Sequence, residues 1–488
     1  MKALDALVRQ LRRRDDRRLY TATTFTFEKG HGRAPAPDDQ YFITQYTNDG
    51  WVRGQGIFNE VAPAFDVDYH AAAEAIRLPL VSHEIGQYAV FPDLREIDRY
   101  TGNLVPMNFM AVRDDLASKG MLELAPRFTE ASGKFAALLY KEEIERALRT
   151  PELDGFQLLG LQDFPGQGTA LVGLLNAFWE PKGVIPAESF REFCGPVVPL
   201  ARFSKAVYER SEIFRARLEV ANFERDLADI SMRWTVRAGN GATLAAGDCA
   251  PISLSVGKVT VVGEIEVPIP EAGGAERWEL EVSLNGLPSR NRWNLWVYPK
   301  MDDNADDHVR VVTRLDEALR ALASGERALF NPPVDQIKGI PGRFVPVFWS
   351  PVHFPDQPGT MGILCDPAHP ALQKFPTAAH SDWQWWDPVL HSRSVVIDGL
   401  SVEPIVRVID NFKRNHALAS VFEAKVGKGL LLFCAIDVTN DLEHRPAARQ
   451  LRTSLLHYLR SEAFHPNTQL SPDQLRALIA GQIAAADR

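Results

Sequence analysis

The sequence lacks the features that would assign the protein to a membrane or to nucleic acid. No stretch approaches about 18 uninterrupted apolar residues, so no membrane span is predicted. Basic residues do not predominate: 54 Lys and Arg stand against 63 Asp and Glu, and a net charge of −9 argues against a nucleic-acid-binding surface. Residues 1–16 are rich in charge and are expected to form a helix and not a signal peptide. We therefore expect neither membrane nor nucleic acid as a partner.

Cysteine is scarce, and its four thiols are far apart in the sequence. Cys194, Cys249, Cys365 and Cys434 match no CxxC or zinc-ligand spacing, so they are expected to be reduced core residues. Four cysteines fit reducing and oxidising compartments alike and assign no location. The sequence also lacks a Gly-rich phosphate loop with its Lys, an HExxH motif and any paired-histidine metal motif. We expect neither a metal nor a cofactor.

What the sequence contains is typical of a folded, multi-domain α/β protein. Apolar residues make up 45% and charged residues 24%, and 488 residues correspond to about three domains. Residues 1–203 alternate helical and strand-like segments. The first helix is predicted within 1–14, the strands at 18–23, 41–45, 78–83 and 155–161, and further helices at 69–76, 107–119 and 132–150. Such a repeat of strand and helix predicts half of a (β/α)8 (TIM) barrel.

The pattern changes twice after this region. Residues 204–299 alternate apolar and polar residues between Gly-rich turns, which predicts an immunoglobulin-like β-sandwich. Residues 300–463 again alternate strands and helices and predict a small α/β domain similar to flavodoxin or amidotransferase folds. Residues 464–488 are expected to form a linker and a C-terminal helix. Within the α/β domain, the Trp-rich segment 381–386 is expected to fill a domain interface, with sugar contact as the alternative.

Two cysteines of the α/β domain invite comparison with the amidotransferase nucleophile. Cys365 lies in GILCDPAHP and Cys434 in LLFCAIDV, and neither has the Gly-flanked elbow that exposes such a thiol. We therefore expect both to be structural.

The strongest catalytic candidate is Glu84. In the segment LPLVSHEIGQY, residues 78–88, an apolar strand runs directly into His83, Glu84 and a Gly-containing turn. The C-terminal edge of a parallel strand is where a β/α barrel carries its chemistry, because side chains from different strands converge there. The alternative is a surface Glu that begins a loop.

Other polar and aromatic residues follow predicted strands and are candidate sugar contacts. Asp163 follows the fourth strand before a Gly-rich loop, and its alternative role is to hold that loop by accepting backbone N–H bonds. Tyr46 and Trp51 follow the second strand, and His31 lies in the loop EKGHGR after the first. His83 neighbours Glu84, and its alternative role is structural.

Three passages resemble the catalytic barrel of glycoside hydrolase family two, which includes β-galactosidases and β-glucuronidases. RRLYTAT resembles the fifth barrel strand, SHEIGQY the seventh-strand segment with the nucleophilic Glu, and GFQLLGLQDFPGQGTALVGLLNAFWEPKG the eighth strand and its loop. The resemblance implies retaining hydrolysis, in which one carboxylate attacks the anomeric carbon and a second protonates the leaving oxygen. Glu84 would be the nucleophile, oriented by a neighbour such as Tyr46 or His83.

The sequence departs from this family in one important respect. The family's acid/base Glu follows an Asn at the end of the fourth barrel strand, and no segment here corresponds to that strand. Asn59-Glu60 has the right dipeptide, but it follows a loop, IFNEVAP, and is treated as a coincidence. Leu159 also stands where an aromatic floor is usual. The alternative to a β-galactosidase-like glycosidase is a non-catalytic remnant or partner subunit that binds carbohydrate or another chain.

An open half-barrel would expose an unpaired strand edge and apolar surface. We therefore expect self-association, association with a separately encoded first half, or a chain start that lies inside a longer reading frame.

Overall fold

In a computed structural model, residues 2–22, 32–54, 57–300 and 310–482 are described, and they form a mixed α/β protein of several domains. None of the described helices is both long enough and apolar enough to span a membrane. The helices and strands of the first region are α1 Lys2–Arg14, β1 Phe42–Thr44, α2 His70–Ala73, β2 Leu80–Ile85, α3 Met107–Ser118, α4 Ala125–Leu148, β3 Leu153–Leu158, α5 Gly166–Thr169 and α6 Ala187–Arg191.

The first region contains a three-stranded parallel sheet in the order β1-β2-β3. Phe42 pairs with Leu80, and Ser82 pairs with Phe156, so the C-terminal ends of the strands meet at one edge. The long helix α4 packs on this sheet with Phe135 and Leu139, which are fully buried. Three of the four predicted barrel strands therefore form as expected from their apolar runs.

The segment predicted as the first barrel strand, residues 18–23, forms no strand over its described part, 18–22. The backbone N–H of Tyr20 donates to the side chain of Gln40, and that of Ala22 donates to Asp39. Leu19 is 61% exposed and contributes no buried side chain. The prediction was wrong here because side chains occupy the backbone groups that a neighbouring strand would need.

The second region consists of antiparallel sheets that share one hydrophobic core. One sheet has the order β11-β6-β4, and a larger one has the order β5-β13-β12-β8-β9, in which only β5 runs parallel to its neighbour. The first of these strands begins at Val197, before the predicted domain boundary at 204. The strands are β4 Val197–Arg202, β5 Val207–Glu209, β6 Ile213–Asn222, β7 Leu227–Ile230, β8 Met232–Ala238, β9 Thr243–Asp248, β10 Ile252–Leu254, β11 Lys258–Pro268, β12 Glu276–Leu284 and β13 Arg290–Tyr298.

The third region is an α/β domain around a mixed sheet. Its elements are β14 Arg310–Val312, α7 Leu315–Ala323, β15 Arg327–Phe330, β16 Ile340–Pro341, β17 Ile363–Cys365, α8 Trp386–Leu390, β18 Arg393–Val396, β19 Pro404–Ile409, β20 Ala417–Val426, β21 Gly429–Cys434, α9 Pro446–Arg460, β22 Gln469–Leu470 and α10 Pro472–Ile479. Strands β14, β15 and β21 are parallel, whereas β20 runs antiparallel to β21, β19 and β18. The sheet thus differs from the mostly parallel sheet of a flavodoxin-like fold.

The C-terminal segment packs on this domain over its described residues, 464–482, and contains the predicted helix. Strand β22 pairs with β20, and α10 begins at a capping box formed by Ser471 and Gln474. Leu475 and Leu478 of α10 are buried, because their helical spacing turns both toward the domain core.

The Trp-rich segment 381–386 lies between the first and third regions. Trp383 packs against Phe58 and Phe65, and the indole N–H of Trp386 donates to the Phe58 carbonyl at 2.6 Å. These contacts fit an interface role for the segment and anchor the third domain on the first.

Candidate active site

Glu84 lies near the end of the central strand β2 and adopts a left-handed backbone conformation, with φ of +62°. Such a conformation is costly for a residue with a side chain and is concentrated at functional sites. Gly86, two residues later, has φ of +82°, and a Cβ there would lie 1.8 Å from the ring of Tyr140. This tight turn requires glycine at position 86.

The carboxylate of Glu84 is held by polar neighbours from two other segments. Gln45, directly after β1, donates from Nε2 to Glu84 Oε2, and Arg53 Nη1 lies 3.5 Å from the same oxygen. His83 Nε2 lies 3.6 Å from the other oxygen, Oε1. The Glu84 side chain is 22% exposed, whereas that of Arg53 is 5% exposed. These contacts fix the orientation of the Glu84 carboxylate at the end of β2.

A buried carboxylate beneath the site, Glu143 on α4, fixes the backbone of both segments. Glu143 accepts hydrogen bonds from the N–H groups of Gly54 and Gly86, each at 3.1 Å, and from the Tyr88 hydroxyl at 2.9 Å. Burial raises the pKa of Glu143 above its usual value, and the Arg53 guanidinium opposes that rise. Gly54 is next to Arg53, and Gly86 is two residues after Glu84. The Glu143 side chain therefore holds the backbone beside both members of the Arg53–Glu84 pair.

Glu84 opens onto a cleft with a volume of about 1240 Å³. The first region supplies one side of this cleft, including Trp51, whose side chain is 60% exposed. The third domain supplies the other side through the residues between Arg343 and Phe354. The two sides are joined by backbone hydrogen bonds, among them Trp349 N to Gln87 O at 3.2 Å. The site is therefore built between two domains, and Glu84 lies more than 250 residues before Arg343 in the sequence.

The predicted sugar contacts have different positions in the structure. Trp51 lines the cleft, whereas Tyr46 does not. The rings of Tyr46 and Trp51 pack edge to face, with their centroids 5.2 Å apart. His83 lies beside Glu84, and its Nδ1 is 2.9 Å from the side-chain oxygen of Gln157. The group that donates to the Glu84 carboxylate is Gln45, where the sequence suggested Tyr46. His31 lies outside the described residues.

Asp163 does not line the cleft. Its carboxylate is buried, and Oδ1 accepts from the Lys182 ammonium and from the Gly173 N–H, both at 2.8 Å. Burial raises the pKa of Asp163, and the charge of Lys182 opposes that rise. This arrangement corrects the prediction of a sugar contact and matches the alternative of a carboxylate that holds its loop. The neighbouring Gln162 lines the cleft instead.

Glu60 is a second carboxylate on the cleft wall. It follows the short 3-10 helix Ile57–Asn59, and the Asn59 side chain accepts from the N–H of Val345 at 3.0 Å. The third domain thus fixes the turn that carries Glu60. Although no strand precedes it, the tertiary structure places Glu60 on the same cleft as Glu84.

Sequence reasoning missed most of the residues that surround Glu84. Gln45 carried one signal, since it follows β1 at the same sheet edge as Glu84 follows β2. Arg53 and the third-domain residues Arg343, Trp349 and Phe354 carried none, because they lie on loops whose positions depend on domain packing.

The cysteines of the third domain provide no nucleophile. Burial raises the pKa of Cys365 to about 12 and that of Cys434 to about 12, so both thiols are protonated at neutral pH. Among the described residues, no group of three or more His, Cys, Asp or Glu side chains could hold a metal ion.

Two segments match family models of unknown function. Residues 310–480 match a domain of unknown function (DUF8487), and residues 212–299 match another domain of unknown function (DUF8488). No curated protein matches the chain.

Solved structures with partial similarity include glycoside hydrolases. The exo-chitosanase CsxA of Amycolatopsis orientalis is 14% identical, and the match covers 39% of this chain and 22% of the chitosanase, with a TM-score of 0.26. A family 123 glycoside hydrolase from Clostridium perfringens is 7% identical, covering 24% of this chain and 27% of the hydrolase, with a TM-score of 0.16. The C-terminal domain of wzt is 16% identical, covering 25% of this chain and 85% of that domain, with a TM-score of 0.18. This chain spans only 22% to 27% of the two hydrolases, and similarity of this extent carries no argument about activity.

Proposed function

We propose that the protein is a retaining β-glycoside hydrolase of the β-galactosidase-like kind, with Glu84 as the nucleophile. The observation that carries the proposal is the position of Glu84. Its carboxylate lies at the C-terminal edge of a parallel strand, is held by Gln45 and Arg53, and faces a large cleft that bears the exposed ring of Trp51. A carboxylate oriented toward a cleft that also bears an aromatic face fits the needs of covalent glycosyl transfer.

The proposal includes the barrel-like fold of residues 1–203. Three parallel strands with α4 packed against them, and chemistry at their C-terminal edge, are features of part of a (β/α)8 barrel. The substrate would be a carbohydrate whose non-reducing terminal sugar reaches Glu84. The anomeric carbon would bond to Glu84 as the bond to the leaving oxygen breaks, and water would then release the sugar.

The leaving oxygen needs a proton, and Glu60 is the candidate donor. Glu60 and Glu84 are the carboxylates that line the described cleft. In the second step, the same group would take a proton from the attacking water.

The test uses aryl β-glycosides of several sugars with the full chain and with the variant Glu84→Gln. Loss of the nucleophile is expected to lower kcat by at least about 10³-fold. Glu188→Gln, an exposed carboxylate away from the cleft, is the matched control and should keep full activity. A 2-fluoro glycoside should label Glu84, and NMR should show that the first product retains its anomeric configuration.

Glu60→Ala separates the two carboxylates. With a good aryl leaving group, this variant should still form the glycosyl-enzyme, and azide should accelerate its turnover, because azide needs no general base. Folded protein with no turnover on any glycoside, and with no label on Glu84, would instead favour a non-catalytic carbohydrate-binding protein.

A further inference from the structure

The third domain forms a rigid wall of the Glu84 cleft. The segment 343–354 is held against the first region by three kinds of contact. The N–H of Trp349 donates to the Gln87 carbonyl at 3.2 Å, its indole N–H donates to Gln167 Oε1 at 3.1 Å, and the Ser350 hydroxyl donates to the Gly168 carbonyl. Since both backbone and side chains take part, the segment has a fixed position relative to the cleft.

The contact between the two domains is close enough to require special backbone conformations. Trp349 has φ of +55° and Gln167 has φ of +47°, and both residues line the cleft, as does Glu84. Strained residues of this kind persist where the surrounding structure fixes them and are concentrated at active sites and ligand clamps. Residues in such conformations therefore lie on both sides of the cleft, as is common where a ligand is bound.

The wall presents exposed aromatic rings to the cleft. Phe354 is 41% exposed although its ring stacks on Phe348, and Phe164, from the facing loop, is 48% exposed with its ring 6.0 Å from Trp349. Large exposed aromatic side chains gathered at a cleft mark a binding surface. Their flat apolar faces suit the C–H face of a sugar ring.

Polar groups accompany these rings. The side chains of Gln162 and His353 line the cleft, and neither side chain makes a hydrogen bond or an ion pair within the described part of the chain. Amide and imidazole groups can donate to and accept from sugar hydroxyls. A few unpaired polar groups beside aromatic faces are typical of small-molecule sites.

We propose that Phe354, Phe164 and the segment 343–354 form a second sugar subsite, which binds the leaving-group sugar of a β-linked di- or oligosaccharide. This inference rests on the proposed function, because the role of Glu84 as nucleophile sets which end of the substrate faces the third domain. The cleft volume of about 1240 Å³ exceeds the roughly 300–1000 Å³ of common ligand pockets, so it leaves room beyond one sugar ring. The third domain thus selects the leaving group.

The first test compares two substrates that carry the same reacting sugar. A β-glycosyl fluoride has a leaving group too small to reach the subsite, whereas a β-linked disaccharide fills it. Phe354→Ala should raise KM for the disaccharide about threefold to tenfold, the range expected for one lost aromatic contact, and leave kcat/KM for the fluoride unchanged. Val352→Ala, an equally exposed residue of the same segment that does not line the cleft, is the control. Equal losses on both substrates, or no loss on either, would overturn the proposal.

The second test needs no turnover and separates the subsite from the proposed reaction. Glu84→Gln protein is applied to an array of β-linked di- and trisaccharides and compared with Glu84→Gln/Phe354→Ala. The second variant should lose most of the binding, while its circular dichroism spectrum stays the same. Binding that is absent from both proteins, or equal in both, contradicts the subsite. The wild-type protein could also hydrolyse no glycoside while binding that depends on Phe354 is still observed. In that case the proposed hydrolytic function is refuted and the proposed subsite is supported.

Discussion

Replacing the buried carboxylate beneath the site, Glu143→Gln, tests how the Glu84 turn is held in place. Glu143 Oε1 accepts from Gly54 N–H, and Oε2 accepts from Gly86 N–H and the Tyr88 hydroxyl. A glutamine has one carbonyl oxygen, so its NH₂ group must face at least one of these donors. A buried donor left without a partner costs about 1–3 kcal/mol.

This cost is local, so hydrogen exchange measured by mass spectrometry is the appropriate assay. At about 1.4 kcal/mol per factor of ten, the amides of Gly54 or Gly86 should exchange roughly fivefold to 100-fold faster in the variant. Glu143→Leu leaves all three donors unpaired and should have a larger effect than Glu143→Gln. Glu130→Gln, an exposed position on the same helix, should change neither amide.

The same variant should lower the proposed glycosidase activity, because Gly54 is next to Arg53 and Gly86 is two residues after Glu84. A displacement of about 1 Å in a reacting group can cost 10²-fold in rate. We expect kcat to fall while exchange elsewhere in α4 stays the same. Unchanged protection at both glycines in Glu143→Gln would refute the assignment of Glu143 as the residue that positions the turn.

Two further predictions concern the domain interfaces. Burial raises the pKa of Asp382 to about 7. Because the folded state binds this proton more tightly than the unfolded state, the free energy of unfolding should fall as pH rises from about 4 to 7. The contribution of this group is up to about 1.4 kcal/mol per pH unit. Thermal unfolding at pH 5, 6, 7 and 8 should show this slope in wild-type protein relative to Asp382→Asn, and parallel curves would contradict it. Gly168 has φ of +72°, and a Cβ there would lie 2.7 Å from the backbone nitrogen of His353, so Gly168→Ala should loosen the segment 343–354 and speed its limited proteolysis. In the control Gly102→Ala, the added Cβ meets open space, so the segment 343–354 should be cleaved at the wild-type rate.

Local sequence patterns predicted a large part of the first region. Apolar runs predicted β1, β2 and β3, because a short apolar segment bounded by turn residues favours a strand that is at least partly buried. Helical spacing predicted the ends of α3 to within one residue. It also predicted most of the long helix α4, which begins at Ala125, earlier than the predicted start at 132. The position of Glu84 at a strand end followed from the same local information.

The errors of prediction share one cause, which is the action of residues distant in sequence. Residues 18–22 have the composition of a strand, but the side chains of Asp39 and Gln40 take up their backbone groups. Asp163 follows an apolar run, as the predicted sugar contact would, but Lys182, 19 residues later, pairs with it in the interior. Neither partner could be identified from the local pattern.

The sequence by itself determined most of the strands and helices of the first region, and it placed one carboxylate, Glu84, near the end of the central strand of a parallel sheet. Only the tertiary structure decided what surrounds that carboxylate: Arg53 at 3.5 Å, Glu60 on the same cleft, and the aromatic wall of the third domain. The physical reason is that strand and helix formation depends on residues a few positions apart. A cleft between domains forms only when surfaces from distant parts of the chain pack together and bury apolar area that no local pattern reports.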